Sequence, residues 1–487
     1  MHSAIQPEER PSPRPSPGVP GEGEKLRVIV VGGGLAGMAA AAALHSVGAN
    51  VTLIEARKTL GGRAGSFRDP ATDEVLDNCQ HVLLGCCTNL LDFYRRLDAL
   101  HLIRFEKSIH FLDGPGRQFD LFGVPGLPAP LHLGPALLRF DALTWGERVA
   151  LSRAMLAMMR LGRDGRKRLE DVPFGRWLDE HHQPASLIHK LYDPVLISGL
   201  NENTRDVSTA YAIAVFFDSL LANSGGYAFG TPICPLSQLY DRLPCADVRT
   251  STRVSGLEFD TGGRCRGVRL AGEQLIEADA VVLAVNHHTL PKWIPEEFAR
   301  VDERFKYLDR LVSVPILGAH LWFDRPVLNI PHAALIDGPL QWLFRKDDAG
   351  QAVHGVISAA RDWVDRPREE CLAMFERQVC STLPAAREAR LLRGVIVVEK
   401  RATFSVLPGL ERYRPAQAPP VDGLANLFLA GDFTRTGWPA TMEGAVRSGY
   451  LAAEAVLNKL SPLESTKRFL VPDLELQWPA RALAQRS

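Results

Sequence analysis

The chain has 487 residues, too many for one ordinary domain, so two or three lobes with ample core are expected. An apolar fraction of 46% and a charged fraction of 23% are ordinary for a globular protein, and 56 basic against 56 acidic residues leave no net charge to draw the whole molecule toward nucleic acid. Eight scattered cysteines with no CxxC pair read as reduced thiols in a cytosolic compartment, no run reaches the roughly 18 apolar residues of a membrane span, and the N-terminus lacks the apolar core of a secretory signal.

Residues 1–24 carry Pro11, Pro13, Pro15, Pro17 and Pro20 among charges and glycines, and a disordered tail is expected there. The apolar run Val28–Val31 then leads into Gly32-x-Gly34-x-x-Gly37. Alanine-rich Met38–Val47 reads as a helix, and a second run, Val51–Ile54, ends in Glu55. Strand, glycine turn, helix, strand and acid make the dinucleotide-binding βαβ fingerprint. Gly32 permits the turn, Gly34 lets backbone approach a pyrophosphate, and Gly37 lets helix pack on strand. The helix N-terminus offers free N–H groups and a positive dipole end. Glu55 suits a ribose 2′,3′-diol and repels a 2′-phosphate, so NADP is disfavoured; NAD and FAD both fit. Leu60-Gly61-Gly62-Arg63-Ala64-Gly65-Ser66 adds a second phosphate feature, with backbone access and a guanidinium.

Polar residues interrupt the apolar pattern at Asp77-Asn78-Cys79-Gln80-His81-Val82-Leu83-Leu84-Gly85, before a helix expected over 89–100. Gln80 and His81 suit contact with cofactor or substrate; a capped loop reads equally well. The spacing predicts a helix from Thr144 to about Arg168, with an apolar side including Leu151, Met155 and Met158 and cations from Arg139 to Arg168. It fits either a cap-domain helix or a basic amphipathic segment lying on an anionic membrane. Short strands follow from 246, closing on the buried strand Ala280–Val285, and mixed strands and helices fill 291–405. Asn426–Leu429 is a strand running through Ala430 into Gly431-Asp432. A helix then begins near Pro439, in Gly437-Trp438-Pro439-Ala440-Thr441-Met442-Glu443-Gly444-Ala445. The His-His pairs at 181–182 and 287–288 lack metal-ligand spacing, and no metal is expected.

Gly32-x-Gly34-x-x-Gly37, Glu55 and Gly61-Gly62-Arg63 together resemble the N-terminal FAD motif of the flavin amine oxidoreductase superfamily, and Gly431-Asp432 with Met442–Ala445 resembles its C-terminal one. The resemblance implies an α/β, two-domain fold: a Rossmann-like FAD domain plus a mixed-sheet and helical substrate domain. It divides the chain into a tail (1–24), FAD-binding parts (25–125, 246–290, 406–460), a helical cap (126–245), a substrate sheet (291–405) and a C-terminal tail (461–487). It implies FAD as cofactor, held by Gly32, Gly34, Leu35, Ala36, Gly37, Glu55, Ala56, Gly62, Arg63, Val254, Gly431, Asp432 and Met442. Thr441 stands where the amine oxidase branch commonly has an aromatic cage residue, which argues against amine oxidation. Intact FAD motifs rank a flavin-free escort like the GDP-dissociation inhibitors last.

Asp77–Gly85, Leu200-Asn201, Pro232-x-x-Pro235-Leu236-Ser237 and Thr436–Ala445 look like the hydroxysqualene dehydroxylases of bacterial hopanoid synthesis, within the phytoene desaturase branch. Trp438 and Cys86 depart from that pattern on the substrate side. The resemblance implies reductive dehydroxylation of hydroxysqualene to squalene, with carotenoid desaturation as the alternative. It also implies a lipophilic substrate, peripheral attachment to the inner face of the cytoplasmic membrane, and an electron donor the sequence does not name. His81 and Glu443 are the candidate catalytic residues; Glu443 reads equally well as an acceptor for backbone N–H groups at a helix start. An apolar tunnel is expected near Phe216, Phe217, Tyr227, Phe229, Trp322 and Trp342.

Overall fold

The computed structural model describes residues 25–461 and 466–484; the tail expected over 1–24 lies outside the described residues. In chain order, the strands that build the two main sheets and the site are β1 (Arg27–Val31), β2 (Asn50–Ile54), β3 (Ser108–Leu112), β4 (Gln118–Phe122), β5 (Phe229–Pro232), β6 (Asp247–Arg249), β7 (Val254–Phe259), β8 (Ala280–Leu283), β9 (Ser313–Phe323), β10 (His332–Leu335), β11 (Trp342–Arg345), β12 (Ala352–Ile357), β13 (Leu391–Phe404) and β14 (Leu427–Leu429). The helices that position them are α1 (Leu35–Ser46), α2 (Thr88–Arg96), α3 (Trp145–Gly165), α4 (Arg368–Thr382), α5 (Met442–Leu460) and α6 (Trp478–Ala484).

The first sheet has the order β6-β2-β1-β8-β14, and its strands are all parallel. Parallel strands are covered on both faces, so they read as unbroken apolar runs, and all four residues of β8 are buried. α1 buries ten of its twelve residues, which fits a helix that is apolar all round. Its alanines permit a close crossing with α5, where a Cβ on Gly449 would lie 2.2 Å from the Ala36 carbonyl oxygen. α1, α2 and α5 share one core with this sheet.

The second sheet has seven strands in the order β13-β9-β12-β11-β10-β3-β4, antiparallel except between β10 and β3. Pro315 sits in the long strand β9 where the register shifts between Val314 and Ile316. A proline has no N–H for the ladder and is tolerated at such an irregularity. One face packs on α4, with Leu317, Leu321, Leu343, Val353 and Ile357 around Phe375. Full burial of that one ring stabilises by roughly 1.5–3 kcal/mol. The alternate residues point the other way.

α3 starts at Thr144, whose hydroxyl accepts from the Glu147 N–H while the Glu147 carboxylate accepts from the Thr144 N–H. It stops at Gly165, short of the expected Arg168, after bending at Gly162 (φ +59°). The stretch expected as a C-terminal tail is a strap. The Phe469 N–H donates to Glu454 (2.6 Å), the Val471 N–H to Asn89 Oδ1 (2.8 Å), and α6 packs beside α3.

Candidate active site

The first glycine motif wraps the C-terminal end of β1. Gly32 has φ +110°, and a Cβ there would lie 2.4 Å from the Ala284 oxygen; a Cβ on Gly37 would lie 1.9 Å from the Gly32 oxygen. Gly34 differs: a Cβ there would meet nothing within 4 Å. It is the N-cap of α1 and provides no side-chain cap, and the first turn holds no acid. The amides that open the helix, at Leu35, Ala36 and Gly37, therefore have no intrahelical acceptor. Gly61 (φ +109°) donates its N–H to the Gly33 oxygen at 2.8 Å, and a Cβ on Gly62 would approach the Gly34 Cα at 3.2 Å. The two glycine motifs thus line one open, uncapped cradle.

Glu55 closes its side, its carboxylate accepting from the N–H groups of Gly33 (2.7 Å) and Arg57 (2.8 Å). Ala56 follows it on the surface. The Thr252 N–H donates to the Glu55 carbonyl at 2.9 Å, which brings the buried Val254 at the head of β7 to the same edge. From the other side, Arg63 donates to Asp432 Oδ1 and to the Ala402 oxygen, both at 2.6 Å. Burial works against the Arg63 charge, but the Asp432 and Glu399 carboxylates outweigh it and hold the guanidinium above its ordinary pKa. Gly431 (φ +148°) passes tight against the Phe433 ring and donates its N–H to Ser448 Oγ at 2.8 Å. Met442 opens α5, capped by the Thr441 hydroxyl accepting from the Gly444 N–H at 3.1 Å. Gly32, Gly34, Gly37, Glu55 and Gly62 gather at the end of β1, and Arg63 is tied to Asp432 across it. Open space at Gly34, an uncapped helix and a carboxylate one strand away fit a dinucleotide.

The 77–85 loop leads from the cradle to the second sheet. Asn78 donates to the Arg63 carbonyl (3.2 Å) and to Glu399 (3.4 Å). Asp77 accepts from Ser66 Oγ (2.8 Å), the Leu236 N–H (2.9 Å) and Lys346 Nζ (3.3 Å), and Lys346 also donates to Gln80 (3.1 Å). His81 is half-buried with Nδ1 3.1 Å from the Cys79 carbonyl oxygen, and burial pushes its pKa below the usual histidine value. That direction keeps the ring neutral, the wrong state for a stored proton.

Of the two sequence readings of Glu443, its contacts match the acceptor for backbone N–H groups at a helix start, here the start of α2. Glu443 is buried, and its carboxylate accepts from the N–H groups of Asn89 (3.2 Å) and Leu90 (2.7 Å), from Asn89 Nδ2 (2.9 Å) and from Arg447 Nε (2.8 Å). With four donors taken, it caps α2 and pairs with Arg447 instead of facing a reacting atom.

The resembling stretches frame the same region. Asn201 (φ +54°) donates to the Val314 oxygen (3.1 Å) and Thr403 Oγ1 (2.8 Å), tying the helical lobe to the sheet. Pro235-Leu236-Ser237 holds Asp77 and Ser66. Arg414, wholly buried, donates to the carbonyl oxygens of Asp432 (2.9 Å), Thr434 (2.5 Å) and Trp438 (2.7 Å) and so clamps the 432–438 loop. Sequence reasoning missed Arg414, Lys346 and Glu399, whose contacts with the 432–438 loop and with Asp77, Gln80 and Asn78 join stretches that are separate in the chain. Of the expected tunnel aromatics, Phe229 and Trp342 stack with centroids 5.4 Å apart, and His332 stacks 4.3 Å from Phe229. Phe216 and Phe217 are core, Tyr227 accepts from the Gly123 N–H (3.0 Å), and Trp322 lies under the Arg393 guanidinium at 4.1 Å. Among the described residues no metal-binding cluster occurs, and no helix is long and apolar enough to cross a membrane.

This fold and cradle define an FAD-dependent oxidoreductase of two-domain α/β type. The chain belongs to the flavin containing amine oxidoreductase family, whose profile matches residues 35–457. It is similar to 15-cis-phytoene desaturase of Synechococcus elongatus (27% identical over 467 residues, 90% of this chain and 97% of that one). It is also similar to hydroxysqualene dehydroxylase of Rhodopseudomonas palustris (29% over 444 residues, 88% and 98%). Among solved structures, an oxidoreductase from Methanosarcina mazei superposes with a TM-score of 0.67 at 15% identity, covering 89% of this chain and 100% of that one. Cyclohexylamine oxidase from Brevibacterium oxydans gives 0.62 at 18% identity, covering 90% and 100%.

Proposed function

We propose that this enzyme reductively dehydroxylates a C30 isoprenoid alcohol, taking hydroxysqualene to squalene. The observation that carries this reading is the face of the second sheet turned away from α4. There the aromatic wall of Phe229, Trp342 and Phe344 is interrupted by histidines, which suits a long hydrocarbon bearing one polar group. FAD, when bound and reduced, supplies the hydride that replaces the hydroxyl. The carbon–oxygen bond breaks, and the oxygen leaves as water with one added proton. The chain's part is to seat the chain-like substrate on the aromatic wall, to keep water from an allylic cation-like carbon, and to orient the departing oxygen. The cradle residues Gly32–Gly37, Glu55, Arg63 and Asp432 hold the cofactor in this reading. An external two-electron donor completes the balance.

A second reading, desaturation of a C40 hydrocarbon, is favoured by the extent of likeness to the phytoene desaturases. An anaerobic single turnover separates the two. The dithionite-reduced holoenzyme is mixed with hydroxysqualene in detergent, and reoxidation with squalene formed is the expected result. A flavin that stays reduced, together with oxidised enzyme that desaturates phytoene in the presence of a quinone, establishes the second.

The same reading places the enzyme peripherally on a membrane, but at a different surface from the cations around 160–168. Arg163 and Arg166 are held by Asp218 at 2.8 and 2.6 Å. Leu131, Leu138 (59% exposed), Trp145 (69% exposed) and Val149, on the stretch leading into α3 and on its first turns, are instead exposed apolar side chains, and Arg148 lies over the Trp145 ring. We propose that they form one apolar patch which, with its flanking arginines, suits an anionic bilayer. Leu138→Ser with Trp145→Ser should reduce sedimentation with anionic vesicles at least about fivefold; unchanged sedimentation removes this surface from the proposal.

A further inference from the structure

The face of the second sheet turned away from α4 holds a row of buried polar side chains that the cofactor cradle does not account for. Strand register sets His320 of β9 opposite His354 of β12, His354 opposite Phe344 of β11, and Phe344 opposite His332 of β10. Four adjacent strands thus present three imidazoles and a phenyl ring side by side. His320 and His354 lie with ring centroids 4.1 Å apart. His320 is anchored, with Nε2 3.0 Å from the Asp77 carbonyl oxygen.

His354 is completely buried, and neither ring nitrogen has a hydrogen-bond partner. A buried imidazole is ordinarily paired, and an unpaired one lowers stability for no structural return. Its surroundings point toward the cofactor. A Cβ built on Gly318 would lie 3.0 Å from both His354 Nε2 and Cys79 Sγ, so the glycine lets the imidazole and the thiol of the 77–81 loop pack closely over the sheet. Cys79 follows Asn78, which is bonded to the Arg63 backbone. Burial, the neighbouring His320 and the Lys346 ammonium push the His354 pKa well below the usual histidine value. The ring is therefore neutral, with one N–H to donate and one lone pair to accept. A hydroxyl group also donates once and accepts, and the two are complementary.

We infer that His354, backed by His320, is the seat for the hydroxyl oxygen of the isoprenoid alcohol, beside the 77–81 loop that leads to the cofactor. The inference rests on the reading that the substrate is hydroxylated. A pure hydrocarbon would leave both nitrogens unpaired in the bound state. A hydroxyl pairs with one of them, holds the breaking bond in one orientation and, by accepting from the ring N–H, gives the departing oxygen a hydrogen-bond donor. His354 thereby sets specificity for alcohol over hydrocarbon.

The test uses the oxidised holoenzyme, which has no hydride to give, so binding is measured without turnover. Hydroxysqualene and squalene are titrated separately in detergent against the flavin absorbance. The wild type should bind the alcohol ~10- to 100-fold more tightly than the hydrocarbon. His354→Phe should abolish that preference by weakening the alcohol alone, with an unchanged or raised Tm because an unpaired polar ring is removed. His354→Asn, which keeps a donor and an acceptor, should retain part of the preference. A wild type without preference, or a His354→Phe variant that keeps it, overturns the inference. If His354→Phe does not fold, His354→Asn decides: a reduced ratio supports the seat and an unchanged one overturns it. Failure of the functional reading looks different. Reduced enzyme that does not convert hydroxysqualene, while a preference for alcohols still depends on His354, removes the reaction and leaves the seat. Conversion that proceeds with a preference indifferent to residue 354 removes the seat and leaves the reaction.

Discussion

The two sheets present polar chemistry from buried strands in opposite ways. At the end of the parallel sheet the polar groups are backbone amides, exposed by glycines at 32, 34, 61 and 62 and steered by a helix start. On the face of the antiparallel sheet turned away from α4 they are side chains, one histidine on each of three strands that are otherwise largely apolar. A backbone cradle suits a cofactor shared across a family. A side-chain face can be rewritten residue by residue without touching the fold, which suits the substrate role proposed for it. The two regions should therefore fail differently when altered.

The largest effect is expected in the cradle. A methyl on Gly37 would lie 1.9 Å from a backbone oxygen that cannot turn away, so Gly37→Ala should lose ~3 kcal/mol or more of stability together with the flavin. Gly34→Ala meets no protein atom and should leave the melting of the flavin-free protein unchanged while lowering the flavin-to-protein ratio. Flavin content and Tm measured on both variants separate packing from cofactor contact. Full flavin content in Gly34→Ala would place the cofactor elsewhere.

Glu443 lies between the two regions in character, a side chain that behaves as scaffold. Glu443→Gln leaves the buried Arg447 with Asp473 alone and turns an amide against the start of α2, a loss of about 3 kcal/mol. Turnover per bound flavin should stay within about twofold of wild type; an unchanged Tm with turnover down about a hundredfold would instead make Glu443 catalytic.

On the substrate face the signature is a dependence on pH. Burial, aided by the facing His110 and Arg104 and opposed by Asp120 and a hydrogen bond involving the Ser108 backbone, brings the His332 pKa down to about 3. The folded value lies below the unfolded one of about 6.5, so the unfolded chain takes up a proton that the native state refuses. Stability is therefore lost as pH falls from 6.5 toward 3, by about 2–3 kcal/mol at pH 4.5. His332→Phe should flatten that segment of the Tm-against-pH curve. A curve parallel to wild type would mean that the ring is protonated in the folded state.

The contrast also explains what was legible. Gly32, Gly34, Gly37, Glu55 and Arg63 fall within 32 residues, and each is dictated by a local turn or close approach that spacing alone reveals. Asp432 was legible because a strand, a Gly-Asp pair and a proline-led helix follow one another. The row His320, His354 and His332 depends on strand register, which no short window contains. A lone histidine in Ala352–Ile357 looks like any core histidine until the pairing of four strands is known. The cations of α3 misled for the same reason. Arg163 and Arg166 look solvated in sequence, and their partner Asp218 is more than fifty residues away. Glu443 lies in a motif otherwise devoted to the cofactor, yet the Asn89 and Leu90 amides it serves are more than 350 residues earlier.

The smallest effect tests a third place, the start of α3 beside the apolar patch. Glu147 is buried, its carboxylate accepting from the Thr144 N–H (2.6 Å), Lys190 Nζ (3.2 Å) and the Ser186 hydroxyl. Burial alone would raise its pKa, and these bonds outweigh it and bring the group down to about 2. The folded value lies below the unfolded one, so the carboxylate's contribution is complete above pH ~4.5 and is lost as pH falls toward 2. Glu147→Gln keeps the shape and removes the charge, at a cost of about 1 kcal/mol. The Tm gap between wild type and variant should be constant from pH 8 to pH 5.5 and narrow at pH 4 and below. Its pH dependence is opposite to that of the His332 pair, where wild type and variant agree near neutrality and part in acid. A Glu147 gap that stays constant into acid would mean that the helix start is held by the neutral Thr144 bond alone, with Lys190 and Ser186 as bystanders.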